Sequence, residues 1–191
     1  MQTLIKKSYS HIKTVLNHKK IVFKLSIKAG IPIRGLLHDL SKFSLIELKE
    51  SIHYYNDGKQ SPLLKCIEEK GYSKAWRHHI KYNKHHPEHW IFVDSKYGAI
   101  ILPYKCWVEL ICDNLAAGIN YKKDTWRKDY PLIFWTEKLP TWKQQKGYFI
   151  HPAIEKATLE VFAQVAVHGI EPVVTKENLQ KIYNKNAKEF S

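Results

Sequence analysis

Apolar positions recur at helical spacing along most of the chain. In residues 4–29, His11, Val15, His18, Val22, Leu25 and Ala29 fall on one face of a helix. Gly30 supplies the stop and Pro32 restarts the chain. Ile33, Leu36, Leu37 and Leu40 then predict a short buried helix running through Gly35 to Asp39. Ser44 with Glu47 has the spacing of a capping box and predicts a helix to about residue 55, ahead of the turn Asn56-Asp57-Gly58. Ser61-Pro62 opens a helix that Gly71 closes, and Ser73 caps another that runs from residue 74 to about 84, before Pro87. Pro103 starts a helix to Gly118 with Cys106, Leu110, Asp113 and Ala117 along one face. A short helix is expected near residues 132–137, an amphipathic one from Pro152 to Gly169, and a polar one after Thr175. Only residues 91–93 and 173–174 have strand character. No repeat or linker divides the chain, so the pattern predicts one all-α domain of about seven helices.

Composition agrees. With 191 residues and 44% hydrophobic side chains, the chain can bury one substantial core and is short for two. Charge adds a location. Lys and Arg number 31 against 18 Asp and Glu, a formal net charge of +13. Residues 1–38 hold eight of the cations and no carboxylate, and the first carboxylate is Asp39, directly after His38. Such a basic segment points to phosphate-bearing or otherwise anionic partners.

Several classes are excluded by pattern. No apolar run reaches the roughly 18–20 residues of a membrane span, so no membrane partner is expected. The basic start lacks the apolar core and small-residue cleavage site of a secretory signal. The three cysteines, Cys66, Cys106 and Cys112, are too few and scattered for a disulfide framework and predict buried thiols in the cytoplasm. There is no C-x-x-C pair, P-loop or Gly-x-Gly-x-x-Gly.

The chemistry concentrates in histidines and a few carboxylates. Eleven histidines are present, five of them within residues 78–89. His18 lies on the apolar stripe of the first helix, His38-Asp39 sits among leucines, and Asp113 lies on the inward face of a largely apolar helix. A buried carboxylate is costly unless it is paired, hydrogen-bonded or metal-bound. Mixed imidazole and carboxylate ligands suit Zn, Fe, Mn, Co or Ni. His79 and His86 are seven apart and share a face if the helix continues; the same holds for His78 and His85. Six ligands follow: His18, His38, Asp39, Asp113, one of His78 and His79, and one of His85 and His86. They would support one or two metal ions with Asp39 bridging. His53, His89, His151 and His168 are assigned no site role, His151 standing where an N-cap is expected.

Gly35-Leu36-Leu37-His38-Asp39-Leu40-Ser41-Lys42 resembles the signature of the HD-domain superfamily of metal-dependent phosphohydrolases, and His18, His38-Asp39 and Asp113 follow its H…HD…D order. The closer resemblance is to an uncharacterised HD-like family of bacterial and phage proteins. It rests on His18-Lys19, Trp76-x-x-His79, Asn83-Lys84-His85-His86-Pro87-Glu88 and Glu109-x-x-x-Asp113 before Ala116-Ala117-Gly118. The resemblance covers roughly residues 16–170. It implies one HD-like domain over residues 1–191, with a core at about 16–170 and a basic C-terminal helix at 175–191. It also implies a divalent metal site that hydrolyses phosphate esters, with His18, His38, Asp39 and Asp113 as ligands and His79 and His86, or His78 and His85, for a second ion. The superfamily's usual spacing leaves His11 as an alternative to His18. Asp39 and Lys42 would be catalytic. Lys42, Arg77, Lys81 and Lys84 could hold phosphate, and Trp76, Tyr82, Trp90 and Trp107 could stack on a base.

The substrate expected is a small phosphate ester such as a nucleotide, in the cytoplasm, or the host cytoplasm for a phage-encoded chain. Two alternatives remain: a dinuclear-iron oxygenase of the HD type, and a non-catalytic basic protein that binds nucleotide or nucleic acid around a structural metal.

Overall fold

The computed structural model describes residues 2–58 and 60–190. The described residues form ten α-helices, three short 3-10 segments and no strand. The helices are α1 (Gln2–Lys28), α2 (Pro32–Leu37), α3 (Leu45–Tyr54), α4 (Pro62–Lys70), α5 (Lys74–Tyr82), α6 (Tyr104–Lys122), α7 (Tyr130–Lys146), α8 (Pro152–His168), α9 (Ile170–Val173) and α10 (Lys176–Glu189). The all-α bundle is as expected; the larger number comes from short pieces such as α2 and α9. None of the helices is long and apolar enough to cross a membrane.

The core is built around α6, whose Trp107, Ile111, Cys112 and Leu115 are fully buried, against Val22 of α1, Ala29 just after it, and Ile154, Val161 and Phe162 of α8. Trp107 Nε1 donates to Thr158 Oγ1 at 3.0 Å, so its one polar atom is satisfied inside. The predicted stripe of α1 is buried along its whole length, His11 and His18 included. α1 ends at Lys28, and Gly30 in the turn beyond it lies in the left-handed region with φ +76, as its position predicts. The three cysteines are free and buried.

Four local expectations are corrected. Ile33, Leu36, Leu37 and Leu40 are not buried; each is more than half exposed. α2 instead turns Gly35 onto α1, where a Cβ would lie 2.3 Å from Ser26 Cβ. A six-residue helix docked through its glycine leaves its leucines outside, and Leu40 lies in the 3-10 segment Leu40–Phe43. α5 ends at Tyr82 rather than near 84, because Asn83 leaves helical geometry and caps it. α7 is far longer than residues 132–137. It tolerates Pro140 because that residue is exposed, and the carbonyl it strands can meet water. The strand-like residues form one isolated bridge, Ile91 to Ala99, while Val173 ends α9.

Candidate metal centre

α1 and α6 cross in the core and carry the first half of the site. His18, two-thirds of the way along α1, and Asp113, in the middle of α6, meet with His18 Nε2 2.9 Å from Asp113 Oδ1. The chain leaves α2 through an extended His38 and then a left-handed Asp39 with φ +53. Aspartate is among the few non-glycine residues that adopt this conformation. The reversal turns two neighbouring side chains into one centre. His38 Nε2 lies 3.2 Å from Asp39 Oδ2, 3.5 Å from Asp113 Oδ1 and 3.3 Å from His18 Nε2.

The second half comes from α5 and the turn after it. His79 Nε2 is 3.4 Å from Asp39 Oδ1 and 2.9 Å from His86 Nε2. His85 Nε2 is 3.7 Å from Asp39 Oδ1 and 3.7 Å from Asp113 Oδ2. The helix does not continue to 86, so the turn, not helical periodicity, joins His79 to His86. Asn83 holds that turn, donating to Ser41 Oγ at 2.6 Å and to the His79 carbonyl at 2.8 Å. Two four-residue sets result, His18, His38, Asp39 and Asp113, and Asp39, His79, His85 and His86; within each, one donor atom per residue lies within 4.8 Å of the others. Asp39 belongs to both.

Two carboxylates hold the imidazoles from behind. Glu109, one turn before Asp113 on α6, accepts from His38 Nδ1 at 3.0 Å and lies 3.3 Å from His85 Nδ1, with Arg34 bonded to its other oxygen at 2.7 Å. Glu47 of α3, fully buried, accepts from His79 Nδ1 at 2.9 Å and His78 Nδ1 at 2.7 Å. A carboxylate behind Nδ1 fixes the tautomer and aims Nε2 at the centre as a lone pair. In that tautomer, with His38 deprotonated, the Nε2 lone pairs of His38, His79 and His85 would face the oxygens of Asp39 and Asp113. Asp39 Oδ1 and His85 Nε2 are buried with no hydrogen-bond partner. Acceptors facing acceptors in a buried site need a proton or a cation between them. These residues fit one or two divalent ions of the imidazole-and-carboxylate class.

The electrostatics fit the same description. Burial opposes ionisation of Asp39 and Asp113, yet their cationic and imidazole neighbours hold both well below the usual carboxylate range: His38 and Lys42 around Asp39, His18 and His38 around Asp113. Burial also opposes charge on Glu109, but hydrogen bonds from His38 and His85 bring it down to about 2. His38 is raised well above normal despite its burial, by the Asp39 charge and by bonds to Asp113, Asp39 and Glu109. Burial, then His85 and His79, keep His86 low.

A cavity of about 440 Å³ opens beside this centre, lined by His18, Asp39, His79, His86 and Asp113 together with aromatics such as Tyr55, Trp76, Phe134 and Tyr148. Among the described residues Lys42 is the single lysine or arginine in its wall. Lys42 Nζ is 2.6 Å from Asp39 Oδ2, and that carboxylate, winning over burial, raises the ammonium above its ordinary pKa. Glu88 also lines the cavity; its Oε2 has no hydrogen-bond partner, and burial pushes its carboxyl up to about 7.

Of the adjacent histidine pairs, His79 reaches the centre and His78 is turned to Glu47, whereas His85 and His86 both reach it. His11 lies in the cavity wall, edge-on to Tyr55, outside both sets; burial, then Lys42, lowers it to about 4. Arg77, Lys81 and Lys84 are exposed and do not line the cavity. Of the four aromatics proposed to stack, Trp76 alone lines it. Trp107 is in the core, Trp90 Nε1 donates to the Lys84 carbonyl, and Tyr82 is exposed. His151 caps α8, accepting from Ala153 N–H. The sequence reading gave Glu47 a capping role and Glu109 a place in the family motif, and neither a role in the site. The Glu109-x-x-x-Asp113 spacing, which puts both on one face, was the available signal for Glu109.

No curated protein and no solved structure matches the chain. One family does, over residues 7–164, which include every residue of the centre. The chain belongs to DUF5662, a family of unknown function.

Proposed function

We propose that the chain is a metal-dependent phosphohydrolase of the HD type, acting on a small phosphate ester such as a nucleotide. The observation that carries this reading is Asp39, whose carboxylate is shared by two buried donor sets and whose buried Oδ1 has no hydrogen-bond partner. Divalent ions held by these two sets would bring the pKa of bound water toward neutral and polarise a phosphoryl oxygen. The chain's own side chains supply the rest. Glu47 and Glu109 hold the imidazoles in their ligating tautomer. Lys42, oriented by Asp39, offers its ammonium protons to a phosphoryl oxygen at the cavity wall. Trp76 and Tyr148 exclude water and provide flat apolar surface for the organic part of the substrate. One cation in the cavity suits a single phosphoryl group, not a polyphosphate chain or a nucleic-acid backbone.

The test pairs metal analysis with phosphate release. Chain purified without chelator or histidine tag should hold up to two metal equivalents and release phosphate from mononucleotides or other monoesters. Asp39→Ala should lose both properties. An active, metal-free Asp39→Ala variant overturns the proposal. So does a metal-loaded wild type that takes up oxygen with ferrous iron but releases no phosphate.

A further inference from the structure

The segment that carries His38, Asp39 and Lys42 has a second face. Outward from the site stand seven large apolar side chains within fourteen residues: Ile33 (73% exposed), Leu36 (61%), Leu37 (55%), Leu40 (52%), Phe43 (39%), Leu45 (73%) and Ile46 (52%). Leu37 and Leu40, with Tyr82 of α5 and the polar Ser41, His78 and Asn83, also wall a second, open hollow of about 400 Å³. Such a concentration goes well beyond the scattered apolar side chains that any surface carries.

The charges of this stretch are directed inward. Arg34 is 2.7 Å from Glu109, and Lys42 and Asp39 are 2.6 Å apart. The outer face is therefore apolar and without net charge on a chain of net charge +13. A nucleic acid or an anionic surface would be drawn to lysines; the one lysine of residues 33–46, Lys42, is paired with Asp39, and Lys81 lies over Tyr82 at the edge of the hollow. A second copy of the chain can meet it without bringing like charges together, because a two-fold contact sets the same patch against itself. Area agrees. At about 200 Å² for a full side chain of this size, the seven expose about 800 Å², the share each partner gives to a standard interface.

We infer that the outer face of residues 33–46 is the interface of a two-fold homodimer, with the hollow beside Tyr82 receiving a projecting side chain of the second copy. The dimer would cover the back of the segment that carries the shared carboxylate. The inference stands on exposure, charge and area, and does not depend on the proposed activity.

Light scattering or sedimentation of the full chain tests it. The expected mass is twice 22.5 kDa, unchanged at high salt because the contact is apolar. Ile33→Asp combined with Leu36→Asp should give a monomer with the same helical circular dichroism. Should that pair disturb folding, Leu45→Lys, at the start of α3, serves in its place. A wild type that stays monomeric at tens of micromolar overturns the inference, as does a dimer that survives these substitutions in a folded chain. A monomeric wild type that co-sediments with phosphatidylglycerol vesicles, and loses this with the substitutions, would assign the face to a lipid surface instead.

Discussion

The two halves of the centre are held in different ways. His18 and Asp113 stand on α1 and α6, the long helices whose packing forms the core, so their positions follow from apolar burial. His79, His85 and His86 stand on nine-residue α5 and the turn after it, beyond the main core cluster. There the positioning is polar: Glu47 behind His79, and Asn83 tied to Ser41 and the His79 carbonyl. Glu109 belongs to both halves, reaching His38 in one and His85 in the other. The first half is as rigid as the core; the second is as rigid as its hydrogen bonds.

Glu109 is where breaking both halves at once should have the largest effect. Glu109→Ala removes the acceptor behind two imidazoles and leaves Arg34 without its partner. Metal affinity should fall about 10- to 100-fold at both positions. The apo-protein should lose about 1–3 kcal/mol as buried donors go unsatisfied. Competition against a chromophoric chelator and a thermal melt read the two effects. Unchanged affinity with lowered stability would reduce Glu109 to a partner for Arg34.

Glu47 separates the halves. Glu47→Gln leaves His18, His38 and Asp113 untouched and weakens the support of His79, along with the bond to His78 outside the donor sets. The expected result is about a tenfold loss at one position and none at the other. At limiting metal the stoichiometry should drop from two toward one. Equal loss at both positions would show that the halves are one cooperative unit.

This difference also explains what could be read from the sequence. The first half was legible because the apolar stripe of α1 keeps its period from His11 to Ala29, so a histidine on it had to point inward. Asp113 was legible for the same reason on α6. The second half was legible only as two pairs, because the choice within each depended on where α5 ends, at the point where Asn83 bonds to Ser41 across the fold. Glu47 had two readings as well. Its backbone N–H does donate to Ser44 Oγ, as a capping box requires, but its carboxylate leaves the cap for the two histidines. Leu36-Leu37 read as core, yet a close approach through Gly35 orients α2 with both leucines outside. Periodicity reports burial well in a long helix and poorly in a helix of six residues.

The smallest effect on metal binding is expected just beyond the second half, at Glu88 in the 3-10 segment Pro87–Trp90. Glu47 and Glu109 have imidazole partners that lower them, whereas Glu88 Oε2 has none and burial raises the carboxyl from 4.5 to about 7. Between these two values the folded chain keeps a proton that the unfolded chain has released. Its contribution to stability must therefore fall as pH rises from 4.5 to about 7 and stay level above that. Gln keeps the shape and does not titrate. Relative to wild type, metal-free Glu88→Gln should show little pH-dependent gain below pH 4.5, and a gain that grows to about 1–3 kcal/mol above neutrality. Urea unfolding of both chains across that range measures the difference, and parallel curves would mean that Glu88 ionises in the fold as it does in water. Metal affinity should not change, since Glu88 lies outside both donor sets. An unpaired carboxyl beside the second half would then cost stability alone, whereas the paired ones behind the imidazoles govern the metal.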